Sequence, residues 1–121
     1  AGRAVSAIAD DSTVIVVSSD FTHYGPRFGF VPRFRTDARS GIRDLDNKAI
    51  GLIIKGDLEG FTAYLDRTGA TICGRNPIRL ALKVLDAAGR GGKGELLHYT
   101  TSGDLTGDYS NSVSYAAVSL G

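Results

Sequence analysis

The sequence contains no methionine and no tryptophan, and only one cysteine, three prolines and two histidines. A single cysteine, Cys73, excludes an internal disulfide, so a reducing compartment, the cytoplasm, is the expected location. It also excludes the Cys-x3-Cys-x2-Cys cluster motif of radical enzymes. The longest apolar run, Thr13 to Val17, is far too short to cross a bilayer. No basic-then-apolar leader is visible at the start. Charge of one sign is lacking too. Fourteen Lys+Arg face 13 Asp+Glu, a net of +1, which gives no electrostatic reason to expect nucleic acid or an anionic membrane. With methionine absent even from the first position, the opening stretch Ala1–Asp10 reads as the tail of a helix, and the chain reads as part of a longer domain.

What is present suffices for a core. Of 121 residues, 42% are hydrophobic and 22% charged, values that argue against wholesale disorder. Val5, Ile8 and Ala9 keep helical spacing up to Asp10-Asp11-Ser12. Thr13–Val17 is short, β-branched and apolar, the pattern of a strand buried on both faces of a parallel sheet. Residues 21–40 form a loop rich in glycine, proline, arginine and aromatics, without helical or alternating period.

Ile42, Leu45, Ala49, Leu52 and Ile53 predict a helix that stops near Gly56. Asp57 is an N-cap candidate for a second helix with Leu58, Phe61 and Leu65 on one face and a stop near Gly69. Asn76-Pro77 predicts a third start, with Asn as cap and Pro at the first helical position. Its buried face is Ile78, Ala81, Leu82, Leu85 and Ala88. Glu95–Thr101 reads as a strand, 103–110 as a turn-rich connection, and 111–120 as a closing strand. The whole is a single α/β unit with few strands for its helices.

Asp20 and His23 lie just past the first expected strand. Strand ends are where open α/β sheets hold ligands, and a carboxylate and an imidazole at this spacing can face one cavity. The histidine could ligate a metal or move a proton; the aspartate could orient it. The plain alternative is an Asp that caps a turn beside a half-exposed His. Cys73, within Thr71-Ile-Cys-Gly-Arg-Asn-Pro77, precedes a helix and neighbours Arg75, electropositive surroundings that suit a reactive sulfur. The plain alternative is a buried structural thiol.

His98, between Leu97 and Tyr99, reads as a packed or edge-strand histidine. Arg27, Arg33, Arg35, Arg39 and Arg43 could form an anion-binding rim, but Asp37, Asp44 and Asp46 are interleaved and favour a solvated face. Gly89–Gly94 lacks the Lys-Ser/Thr ending of a phosphate loop and follows a helix.

Three blocks carry a family likeness: Val16-Val-Ser-Ser-Asp-Phe-Thr-His-Tyr-Gly25, Thr71-Ile-Cys-Gly-Arg-Asn-Pro-Ile78 and Ser112-Val-Ser-Tyr-Ala-Ala117. In order and spacing they resemble the Memo family, which includes the AmmeMemoRadiSam system protein B, and they fit the C-terminal part of that single domain over residues 1–121. The resemblance implies a three-layer α/β/α fold with a mixed sheet, similar to the catalytic subunit of class III extradiol dioxygenases, here a partial domain.

It also implies a cleft lined by Asp20, His23 and Cys73. Asp20 and His23 would be the catalytic pair, and His23 and Cys73 the metal ligands. The metal would be iron or copper, and only together with two further histidines from the earlier part of the domain. A soft sulfur with an imidazole suits those metals better than magnesium or calcium.

The function implied is a metal-dependent oxidoreductase, non-haem iron or copper, inactive as this chain alone. The alternative is a non-catalytic module in which the old cleft and the aromatic loop recognise a peptide or small ligand. The system name adds radical S-adenosylmethionine and AMMECR1-like proteins as expected partners.

Overall fold

The computed structural model describes residues 10–121. The helical spacing of Val5, Ile8 and Ala9 lies outside those residues. In chain order the elements are β1 (His23–Tyr24), a short 3₁₀ turn (Pro26–Phe28), α1 (Ala38–Ile54), α2 (Leu58–Thr68), α3 (Arg75–Ala87), β2 (Gly94–Thr101), α4 (Ser102–Thr106) and β3 (Ser112–Leu120). The strands lie in the order β1-β3-β2, with both pairings antiparallel. This mixed helix-and-sheet architecture is consistent with the three-layer α/β/α class expected from the sequence.

The helices form where local rules place them. The Asp37 carboxylate accepts from Ser40 N at 2.7 Å and opens α1, and Asp57 does the same for α2 with Gly60 N at 2.8 Å. Gly69, at φ 67°, ends α2 in the left-handed conformation that glycine adopts without steric cost. The apolar stripes of these helices meet in one core around Ile50, Ile53, Phe61, Leu65, Ile72 and Leu82. Leu96, Ala116, Val118 and Leu120 bring one sheet face against it. The opposite face carries Leu97, Tyr115 and Ala117, all exposed.

Four expectations change. Thr13–Val17 pairs with no strand among the described residues, and Val14 and Val16 are 83% and 85% exposed. Strand propensity is fulfilled only where a neighbour supplies the ladder, and among the described residues none pairs with this segment. Helix α3 begins at Arg75, ahead of the expected Asn76 cap, with Gly74 at its cap position. Pro77 still fits, because the first-turn N–H groups have no intrahelical acceptor. The stretch 103–110 opens inside the one-turn helix α4, capped by Thr101, whose hydroxyl accepts from Asp104 N at 2.9 Å. Leu85 is half-buried and Ala88 exposed, so the buried face of α3 ends at Val84.

Candidate functional site

The segment Ser18–Tyr24 crosses the molecule between two neighbours. On one side it joins the sheet: Phe21 N donates to Ser114 O at 2.9 Å, and Ser114 N donates to Thr22 O at 3.0 Å. On the other it meets residues 71–74, which lead into α3. Gly74 N donates to Ser19 Oγ at 2.9 Å, so a serine 55 residues earlier supplies the polar contact that the helix's own cap residue cannot. A Cβ on Gly74 would collide with the Ser19 side chain and approach Ser18 O to 3.0 Å, so a glycine here permits the close contact of the two segments.

That contact brings Cys73 to Asp20. The sulfur accepts from Asp20 N at 3.3 Å and lies 3.9 Å from Ser19 Oγ. Cys73 is exposed. The Asp20 carboxylate in turn lies 3.9 Å from His23 Nε2, with side chains 47% and 22% exposed. Cys73, Asp20 and His23 therefore form a series on one open surface, with Asp20 between the two.

His23 is held in one orientation. Its Nδ1 lies 3.0 Å from both Phe21 O and Thr71 O. Carbonyl oxygens only accept, so Nδ1 carries the proton, and in its neutral form the ring would present its lone pair at Nε2, on the Asp20 side. Thr71 clamps the residue further: its hydroxyl accepts from His23 N at 2.8 Å and donates to His23 O at 2.9 Å. Phe28 packs edge-on against the imidazole, ring centres 5.1 Å apart.

The buried side of the same segment is anchored by Asp46 of α1, which is 1% exposed. Its carboxylate accepts from Thr22 Oγ1 at 2.6 Å, Thr22 N at 3.2 Å and Tyr99 OH at 2.6 Å. Arg43 lies 5.1 Å over the Tyr99 ring. Burial, reinforced by the Asp46 charge, pushes the Tyr99 hydroxyl far above the ordinary tyrosine range. Tyr64, which donates to Leu45 O, is pushed up to about 12 for the same reasons in the same order.

The Memo-like protein family matches residues 1–119. The chain belongs to this family. It is 34% identical over 120 residues to a MEMO1 family protein of Methanopyrus kandleri, covering 97% of this chain and 38% of that one. A MEMO1 family protein of Nitrosopumilus maritimus is 39% identical over 121 residues, covering 97% and 38%. Protein MEMO1 of Rattus norvegicus is 34% identical over 118 residues, covering 93% and 40%. The chain thus spans about two fifths of the length of the curated relatives it matches.

In this Memo-like chain the fold brings Asp20, His23 and Cys73 together and leaves His98 apart. His98 is exposed on β2, beside a register irregularity in the β2–β3 pairing. Among the described residues no three His, Cys, Asp or Glu side chains cluster to hold a metal ion. A mononuclear site takes three or four protein ligands, so these residues do not compose one by themselves. No described helix is long and apolar enough to cross a membrane.

Sequence reasoning missed Thr71, Ser19 and Asp46. Thr71 and Ser19 stand inside the motifs that carry the family likeness, which was the available signal. Asp46 offered none, because on the helix it reads as one more surface charge.

Proposed function

We propose that the chain supplies the C-terminal part of a Memo-like domain and one wall of a metal-dependent oxidoreductase site related to the extradiol dioxygenases. The observation that carries this reading is the imidazole fixed with its Nε2 lone pair on the side of Asp20, itself in contact with Cys73. His23 Nε2 and Cys73 Sγ would be two ligands of iron or copper, joined by ligands from elsewhere in the whole protein. Asp20 would hold or move a proton at His23. A bound redox metal would supply the electron chemistry that these side chains lack.

Transition-metal content of the full-length protein tests this. Iron or copper near one equivalent, lost on His23→Ala and on Cys73→Ser, is the expected result. A protein without bound transition metal, or one whose metal survives both substitutions, overturns the reading and favours a non-catalytic ligand-binding module.

A further inference from the structure

Four arginines between positions 33 and 43 divide into two groups. Arg39 and Arg43 both pair with Asp104, at 2.8 and 3.2 Å. Arg33 and Arg35 instead line a recess of about 360 Å³ between the loop and helices α1 and α2, together with Lys48 and Arg67. None of these four cations forms an ion pair among the described residues. The interleaved carboxylates do not neutralise them. Asp37 is spent on capping α1, and Asp46 is buried against Thr22 and Tyr99. Asp44 is the one carboxylate in the lining.

The recess is built rather than incidental. Phe34 sits between its two arginines in sequence and stacks on Tyr24, ring centres 5.7 Å apart and 29° from parallel. Its ring also lies where a Cβ on Gly41 would be. The absent side chain at Gly41 lets the ring dock on α1, and the docked ring fixes the backbone that carries Arg33 and Arg35. Arg67 is oriented by its own contact, 5.4 Å over the Tyr64 ring.

We propose that this recess binds a phosphate monoester group. Guanidinium forks match phosphate oxygens in pairs, and a dianion answers the excess of four cations over one carboxylate. The recess is wide open and its four cations are exposed, so it would hold the phosphate head of an ester and leave the rest in solvent. The assignment is independent of the metal reading of Asp20, His23 and Cys73.

Calorimetric titration of the full-length protein at low salt, with inorganic phosphate and then glycerol 3-phosphate, provides the test. Vesicles of phosphatidylcholine with and without phosphatidic acid form the second arm. Saturable binding is expected, weakened on the order of tenfold by Arg33→Gln combined with Arg35→Gln. Gly41→Ala, which alters no charge, is expected to weaken it too, while Arg39→Gln leaves it unchanged.

Binding in the vesicle arm alone, with the same response to these variants, supports the recess and assigns the phosphate to a lipid headgroup. Absence of saturable binding in both arms overturns the proposal. So does a loss on Arg39→Gln equal to that of the double variant, which would mark diffuse charge attraction. Both arginines are exposed, so the double variant keeps the test valid if Gly41→Ala fails to fold.

Discussion

The two sides of the segment Ser18–Tyr24 are made of similar chemistry and used in opposite ways. On the inner side Thr22 and Asp46 are fully buried, and the Asp46 carboxylate accepts from the Thr22 hydroxyl and from half-buried Tyr99 at 2.6 Å each. On the outer side Asp20, His23 and Cys73 are partly exposed, the Asp20 carboxylate stands 3.9 Å from His23 Nε2, and Nε2 makes no hydrogen bond among the described residues. A buried carboxylate with its partners complete holds a backbone still; a carboxylate with capacity to spare can act on something else. The contrast teaches that the first aspartate is structural and the second is available.

The sharpest way to break this contrast is Asp46→Ala. It strands the Thr22 N–H and hydroxyl inside the protein, leaves the Tyr99 hydroxyl only its 3.3 Å contact with Ser114 Oγ, and should cost about 3–4 kcal/mol in urea unfolding. Thr71→Val should cost less, about 1–2 kcal/mol, since it removes two hydrogen bonds at a half-buried position. Its second readout is the ring itself. Nitrogen-15 NMR of His23 should report Nδ1–H in both parent and variant, because the carbonyls that hold that proton, Phe21 O and Thr71 O, are main-chain.

Alkali tests the two tyrosines that feel the Asp46 charge. Tyr64 is held neutral up to about 12 in the folded protein, against an ordinary value of 10. Its folded value is raised, so its contribution to stability is whole below pH 10 and is lost as pH climbs through 12. Ultraviolet titration should then find Tyr64 and Tyr99 ionising above the ordinary tyrosine range. The smallest effects belong to the outer side. Asp20→Asn and Cys73→Ser should each change stability by no more than about 0.5 kcal/mol in the same unfolding assay.

The parts of this fold legible in the sequence are those decided locally. Asp57 caps α2 through a residue three positions on, and the stripe Leu58, Phe61, Leu65 needs only the helical period. What escaped reading depends on distant partners. Ser19 reaches the start of α3 across 55 positions, so the boundary near Asn76 was misplaced. Thr13–Val17 has strand composition but no adjacent strand among the described residues.

In β3 the residues fully buried are the polar Ser112 and Ser114, because Gly103 N and the Tyr99 hydroxyl lie within hydrogen-bond reach of them. The site divides in the same manner. Asp20 and His23 were visible as a close pair, and Cys73 through its motif. Thr71, 48 positions from His23, and Asp46, 24 from Thr22, became visible only once the chain was folded.

One bond described above gives the molecule an optical signal of its own. The chain has no tryptophan, so its ultraviolet emission comes from tyrosine alone. A phenol that donates to a carboxylate passes its proton readily on excitation and glows weakly. With Tyr99 donating to Asp46, the native protein should be dim and should brighten when that contact opens, before any label is attached.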